Sequence, residues 1–236
     1  MNPSVKRFVK SRLPRLFDCW RKMKEPSRAR RSAKQTFTRK FHRHSAQEME
    51  SLSGPGSDLA QTETVRRLLP SLVKKLECRT LLDVPCGDFY WMRLVDLSVD
   101  YIGADVVDEL IRQNQQAYGN ARRRFIQRDL LQDPLPTADL VLCRDCLVHF
   151  SNGDVMRALA NIRRSGATWL LATTFVSRDR NEDIPTGKWR AVNLQRPPFN
   201  LPVPVELFDE AHPSIDFADK HLALWRVADL PDVPIS

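Results

Sequence analysis

The chain has 236 residues, with 37 Lys plus Arg against 29 Asp plus Glu and a formal net charge of +8. That length suits one domain plus an appendage, and no run of about eighteen apolar residues occurs, which excludes a spanning helix. Five cysteines, an odd number with no secretory signal ahead of them, suit reduced thiols in a cytoplasmic protein better than a disulfide scaffold.

The charge is uneven. Residues 1–50 hold fifteen Lys plus Arg and four acids, so the basicity belongs to an N-terminal extension, drawn here as residues 1–45 ahead of a main domain over 46–236. Within it Val5, Phe8, Val9, Leu13, Leu16, Trp20 and Met23 recur at helical spacing, interrupted at Pro14. Four uses fit such a segment: a solvated, partly disordered extension, an amphipathic helix lying peripherally on an anionic membrane surface, a nucleic-acid contact, or a transit-type extension, being rich in Arg and poor in acids.

Next comes Ser53-Gly54-Pro55-Gly56-Ser57, a turn-rich hinge into a helical pattern from about Asp58 to Leu76 that Pro70 should kink or divide. Ser57 is placed to cap that helix, and the amides at its start suit a ligand carboxylate. The stretch Thr80 to Phe89 then reads as a short buried strand ending in Asp83, a tight Pro85-Cys86-Gly87 turn, and a helix near Phe89–Val95. Gly87 leaves bare backbone where a ligand approaches.

A second apolar run, Tyr101 to Asp105, ends in another acid, at the spacing that sets a carboxylate beside a ribose on the neighbouring strand tip. A dinucleotide would want Gly-x-Gly-x-x-Gly for its pyrophosphate. This turn has one glycine, followed by Asp88, whose charge repels phosphate. S-adenosylmethionine (SAM) has no phosphate and carries a cationic sulfonium and ammonium, so acids suit it. The balance favours SAM.

Further along lie a helix near Asp108–Tyr118, a strand near Arg124–Arg128 leading to Asp129, where an adenine amino group can donate, and an apolar strand from Ala138 that opens into a polar turn at Arg144 and Asp145. A helix near Asn152–Arg164 and a buried strand Thr168–Phe175 continue the alternation, which argues for a doubly wound sheet with right-handed crossovers. Cys143 and Cys146 form a lone Cys-x-x-Cys without a second ligand pair, so packed thiols are expected there and no metal.

Taken in order, these segments resemble the class I SAM-dependent methyltransferases, from about Gly54 to Leu230. The likeness is closest to a group of unassigned substrate carrying Ser-Gly-x-Gly-Ser, Asp-x-Pro-Cys-Gly-Asp-Phe and Cys-Arg-Asp-Cys-Leu-Val-His, present here at Ser53–Ser57, Asp83–Phe89 and Cys143–His149. Pro85 and Phe89 replace two glycines of the superfamily pattern. The resemblance implies an α/β, Rossmann-like, seven-stranded and mostly parallel sheet, closed by strands near Pro204–Glu210 and His221–Val227, the last of them antiparallel. It implies SAM as cofactor, with Ser57, Asp83, Pro85, Cys86, Gly87, Asp105, Asp129, Leu130 and Arg144 around it.

Methyl transfer needs a positioned nucleophile and, when the acceptor must lose a proton, a base. His149 follows the fourth strand and has an ordinary pKa near 6.5. Asp145, four residues earlier, shares its face if a helical turn begins there. The two are the candidate catalytic residues.

From Val176 to Pro204 the pattern lapses into a long loop, and its part Asp183–Asn200 is the expected acceptor-binding element, with Trp189, Arg190 and Asn193 as its contacts. Its aromatics and planar donors suit a small-molecule or glycan-like acceptor methylated on oxygen or nitrogen. Pro197-Pro198-Phe199 lies some fifty residues beyond the position of the Asn-Pro-Pro-Tyr signature of base methyltransferases, which disfavours a DNA base. Two alternatives remain open: an RNA methyltransferase anchored by the basic extension, and a SAM-binding module without turnover.

Overall fold

The short apolar runs are the strands of one sheet. β1 (Thr80–Asp83), β2 (Asp100–Asp105), β3 (Arg123–Gln127), β4 (Leu140–Cys143), β5 (Trp169–Phe175), β6 (Glu206–Asp209) and β7 (Lys220–Arg226) pair in the order β3-β2-β1-β4-β5-β7-β6. Strands β1 to β5 pair in parallel, while β7 runs antiparallel to both β5 and β6. The architecture is the doubly wound one expected. The computed structural model describes residues 32–47, 49–212 and 214–232, so the helical pattern between Val5 and Met23 lies outside the described residues.

The sheet is buried on both sides, and its strands alternate between two cores as pleating requires. Leu81, Leu140, Leu142, Leu171, Leu222 and Leu224 face one core. That core is covered by α2 (Glu63–Lys75), through Val65, Leu69, Leu72 and Val73, and by Ile111 of α3 (Asp108–Tyr118). Leu82, Val141, Leu170, Ala172, Ala223 and Trp225 face the other, covered by Val155, Leu159 and Ile162 of α4 (Asn152–Arg164). Among the described residues no helix is long and apolar enough to cross a membrane.

The structure departs from local expectation at several places. Residues 33–45, read from sequence as part of the extension, form helix α1 (Ala33–Ser45), which falls within the compact unit that begins at Ala33. Phe41 seats it against Val107 and Leu110, and Phe37 meets Phe150 edge-on at 5.9 Å. The helix expected from Asp58 begins at Glu63 and is continuous through Pro70. Ser57 lies instead in a single 3-10 turn, Pro55–Ser57.

The helix expected near Phe89–Val95 is also absent. Phe89 has a positive φ of 58°, and Tyr90 N donates to Asp88 Oδ1 at 3.3 Å, so the side chain takes the amide that a helix start would use. Only the 3-10 turn Met92–Leu94 follows.

Candidate active site

The carboxyl ends of β1, β2, β4 and β5 open onto one cavity of about 670 Å³, where doubly wound sheets bind ligands. Ser57, Asp83, Pro85, Cys86, Gly87, Asp105, Asp129, Leu130 and Arg144 all line it, as do Asp145, His149 and Trp189. Arg190 and Asn193 do not.

Three carboxyls succeed one another along the cavity. Asp83 ends β1 and is 3% exposed; its Oδ2 accepts from Tyr101 Oη at 2.7 Å. Burial pushes its pKa up to about 7 despite that hydrogen bond. Asp105 ends β2 and accepts from Gly87 N at 3.2 Å and Val107 N at 3.0 Å, yet burial still raises its pKa to about 6. Asp129, beyond β3, accepts from Leu131 N at 2.9 Å and Gln132 Nε2 at 3.1 Å, and burial raises it as well. Desolvation disfavours the charged form of all three, and an entering cation favours it.

The turn after β1 is clamped from behind. Asp88 accepts from Leu52 N at 2.7 Å, from Ser53 Oγ at 3.1 Å and from Ser51 Oγ at 3.0 Å, while Asn114 Nδ2 of α3 donates to Gly87 O at 2.8 Å. Gly87 has a φ of +56°, and a Cβ there would stand 2.1 Å from Ser53 Oγ. The segments Ser53–Ser57 and Asp83–Phe89 therefore fold against each other. Asp88, read from sequence only as a charge hostile to phosphate, is the strap between them. Nothing in the linear pattern pointed to Asn114.

Beyond β4 lies a buried ionic quartet. Arg144 Nε meets Glu210 Oε1 at 2.6 Å, Lys220 Nζ meets Asp145 Oδ2 at 2.7 Å and Glu210 Oε2 at 3.1 Å, and Arg144 Nη1 stands 3.2 Å from Asp145 Oδ2. Arg144 also donates to Gly56 O at 2.7 Å and Gln61 O at 3.0 Å, so it fixes the 56–61 segment over the cavity. Lys220 and Glu210 escaped sequence reading because the residues they hold beyond β4, Asp145 and Arg144, lie 75 and 66 residues away.

The expected His149–Asp145 pairing takes a different form. Asp145 has a φ of +50°, its amide donates to Thr173 Oγ1 at 2.8 Å, and no helical turn begins there. Burial pushes the Asp145 carboxyl up, but Arg144 and Lys220 outweigh it and hold it below the ordinary range. His149, at the end of the 3-10 turn Leu147–His149, instead donates from Nδ1 to Lys188 O at 2.9 Å. A carbonyl cannot donate, so the neutral ring keeps Nε2 as a free acceptor. Burial, then the charge of Lys40, lower its pKa to about 4, well below the ordinary value expected from sequence.

Of the three expected acceptor contacts, Trp189 alone reaches the cavity, 46% exposed and edge-on to Phe175 at 6.0 Å and to Phe217 at 5.1 Å. Arg190 is consumed by the protein itself, donating to Glu182 O at 2.6 Å and Asn152 Oδ1 at 2.7 Å. Asn193 donates to Arg178 O at 2.9 Å and accepts from Gln195 N at 3.0 Å. Both brace a loop whose Val192, Leu194, Phe199 and Leu201 are packed into the core. The loop is largely a cover.

Residues 81–166 match the family described as a methyltransferase domain. Among solved structures, the chain is similar to an O-methyltransferase family 2 protein from Planctomyces limnophilus in complex with apigenin. Identity is 18% and the TM-score 0.54, over 85% of this chain and 63% of that one. It is also similar to PigF, solved with SAH (S-adenosylhomocysteine), at 15% identity and a TM-score of 0.53, over 70% of this chain and 55% of that one. The chain spans about half to two thirds of the length of several of the solved proteins it is similar to. None of the curated proteins matches it. The structural likenesses establish the fold. The methyltransferase-domain match falls on residues 81–166 of that fold, from β1 to just past α4.

Proposed function

We propose that the protein transfers a methyl group from SAM to an oxygen or nitrogen of a small-molecule or glycan-like acceptor. The observation that carries the reading is the row Asp83, Asp105, Asp129 in one cavity with His149. The acids fit the cofactor by charge. Burial disfavours their charged form, which a cation offsets, and the turn lacks the glycine-rich cradle that a pyrophosphate wants. A cavity of about 670 Å³ falls within the roughly 300–1,000 Å³ of small-molecule sites.

In this reading Asp105 accepts from the ribose hydroxyls, Asp83 offsets the ammonium of the methionine half, and Asp129 with Leu130 meets the adenine. Ser57, Pro85, Cys86, Gly87 and Arg144 shape the wall between them. When bound, SAM supplies an electrophilic methyl on a sulfonium, which departs as a neutral thioether. His149 Nε2 takes the acceptor's proton where one must be lost, and Asp145, ionised by its two cations, holds the charge balance behind it. Trp189 offers the acceptor an aromatic face.

Calorimetric titration tests the reading. The protein should bind SAH and ignore NADH, and it should pass labelled methyl from SAM to a member of a phenol, amine and sugar panel. Binding of NADH with no binding of SAH would overturn it.

A further inference from the structure

The cavity is electrically lopsided. One end carries Asp83, Asp105 and Asp129, whereas beyond β4 the two cations and two anions of the buried quartet cancel. Arg128, also on the wall, is turned to Pro134 O and Gln127 O, which leaves Lys40 of α1 as the uncommitted charge, 5.5 Å from the Phe37 ring centroid. It lines the cavity half-buried, ion-paired with no described carboxylate, and the charges that act on it are the cations Arg43 and Lys188. Burial and those two cations lower its pKa. An ammonium desolvated among like charges is costly, and an entering anion offsets that cost.

Lys188 ties this corner to the aromatic wall. Its carbonyl accepts from His149 Nδ1, its charge reaches Lys40, and its neighbour Trp189 stands open beside Phe217. A large aromatic left exposed in a cavity is where a ring recovers apolar contact.

We infer that the methyl acceptor carries a carboxylate-type anion, received by Lys40, and a ring laid against Trp189 and Phe217. The inference rests on the methyltransferase reading above and assigns Lys40 as a specificity-determining residue. The anion is an anchor, distinct from the atom that takes the methyl.

The experiment uses the full chain loaded with SAH, titrated by calorimetry with para-hydroxybenzoate and its neutral isostere para-hydroxybenzamide. The benzoate should bind about tenfold or more tightly than the amide, as a charge-assisted contact requires. Lys40→Met should bring the benzoate down to the amide's affinity without moving the amide, Lys40→Arg should keep most of the preference, and Trp189→Ala should weaken both probes. SAH binding, measured first, separates the two layers. A chain that fails to bind SAH overturns the methyltransferase reading. One that binds SAH but shows no preference for the benzoate, binds neither probe, or keeps its preference in Lys40→Met overturns the Lys40 assignment alone.

Discussion

Asp105 combines two tasks. It accepts from Gly87 N and Val107 N, and in the proposed reading it also accepts from the ribose. Asp105→Ala should therefore weaken SAM binding tens to a hundredfold, since a lost hydrogen bond to a charged group is worth about 1.5–3 kcal/mol. Equal affinity in calorimetry would remove it from the cofactor site. The acid at the tip of β2 was legible in the sequence because strand tip and spacing are local properties. Its second task was not, because the amides it holds become neighbours only after β1 and β2 pair.

His149 makes a similar point about context. The sequence suggests a base of ordinary strength, whereas burial and Lys40 hold the ring neutral down to about pH 4. It is always able to accept a proton but binds one weakly, so its contribution should sit at the low end of positioned bases, about a hundredfold. His149→Asn should lower kcat by that factor with SAM affinity unchanged. The parent's rate should show no step from this ring between pH 5 and 8. Parental turnover by a folded mutant would dismiss the residue from the mechanism.

At the scale of elements, helix α1 had the least transparent sequence. Its basic composition resembles that of the preceding thirty residues, and composition averages over Phe37 and Phe41, which seat it. It supplies Phe37, Lys40, Phe41 and His44 to the cavity wall. A chain beginning at residue 33 should bind SAH as the full chain does, whereas one beginning at residue 46 should lose tenfold or more and melt lower. Removing a buried Phe alone costs about 3 kcal/mol. Identical binding by both truncations, read by calorimetry, would reduce α1 to decoration.

The loop over 176–204 looks different once folded. Its length, aromatics and planar donors suggested a binding surface, and of the three residues named for it Trp189 lines the cavity while Arg190 and Asn193 spend hydrogen bonds on its own backbone and on neighbouring segments. The strands were readable because each is short, apolar and stopped by a polar turn. The missing helix after β1 was not, because the choice lies in the side chain of Asp88 and the positive φ of Phe89.

For the whole molecule, the buried acids set stability against binding. Asp83 titrates at about 7 in the folded protein against an ordinary value near 3.9. The native state therefore holds the extra proton between those values, and stability falls as pH rises through that window. His149 works in the opposite sense: it loses stability for the fold as pH drops from about 6.5 towards 4. Asp83→Asn keeps an acceptor for Tyr101 and removes the buried charge. Without ligand it should melt above the parent at pH 8, with the gap shrinking towards pH 4, while its SAM affinity falls. A mutant less stable than the parent at pH 8 would show that Asp83 is no burden to the fold. Such an exchange of stability for binding is common at functional sites.

The ionic quartet also fixes when the cavity comes into being. Arg144 and Asp145 precede Glu210 and Lys220 by 66 and 75 residues, and they lack these long-range partners until β7 lies between β5 and β6. Contacts this distant along the chain form late, because loop closure precedes their reward. The quartet beside the pocket therefore closes only once β7 has been made, so a growing chain completes this part of its cavity after the strands that carry Asp83 and Asp105.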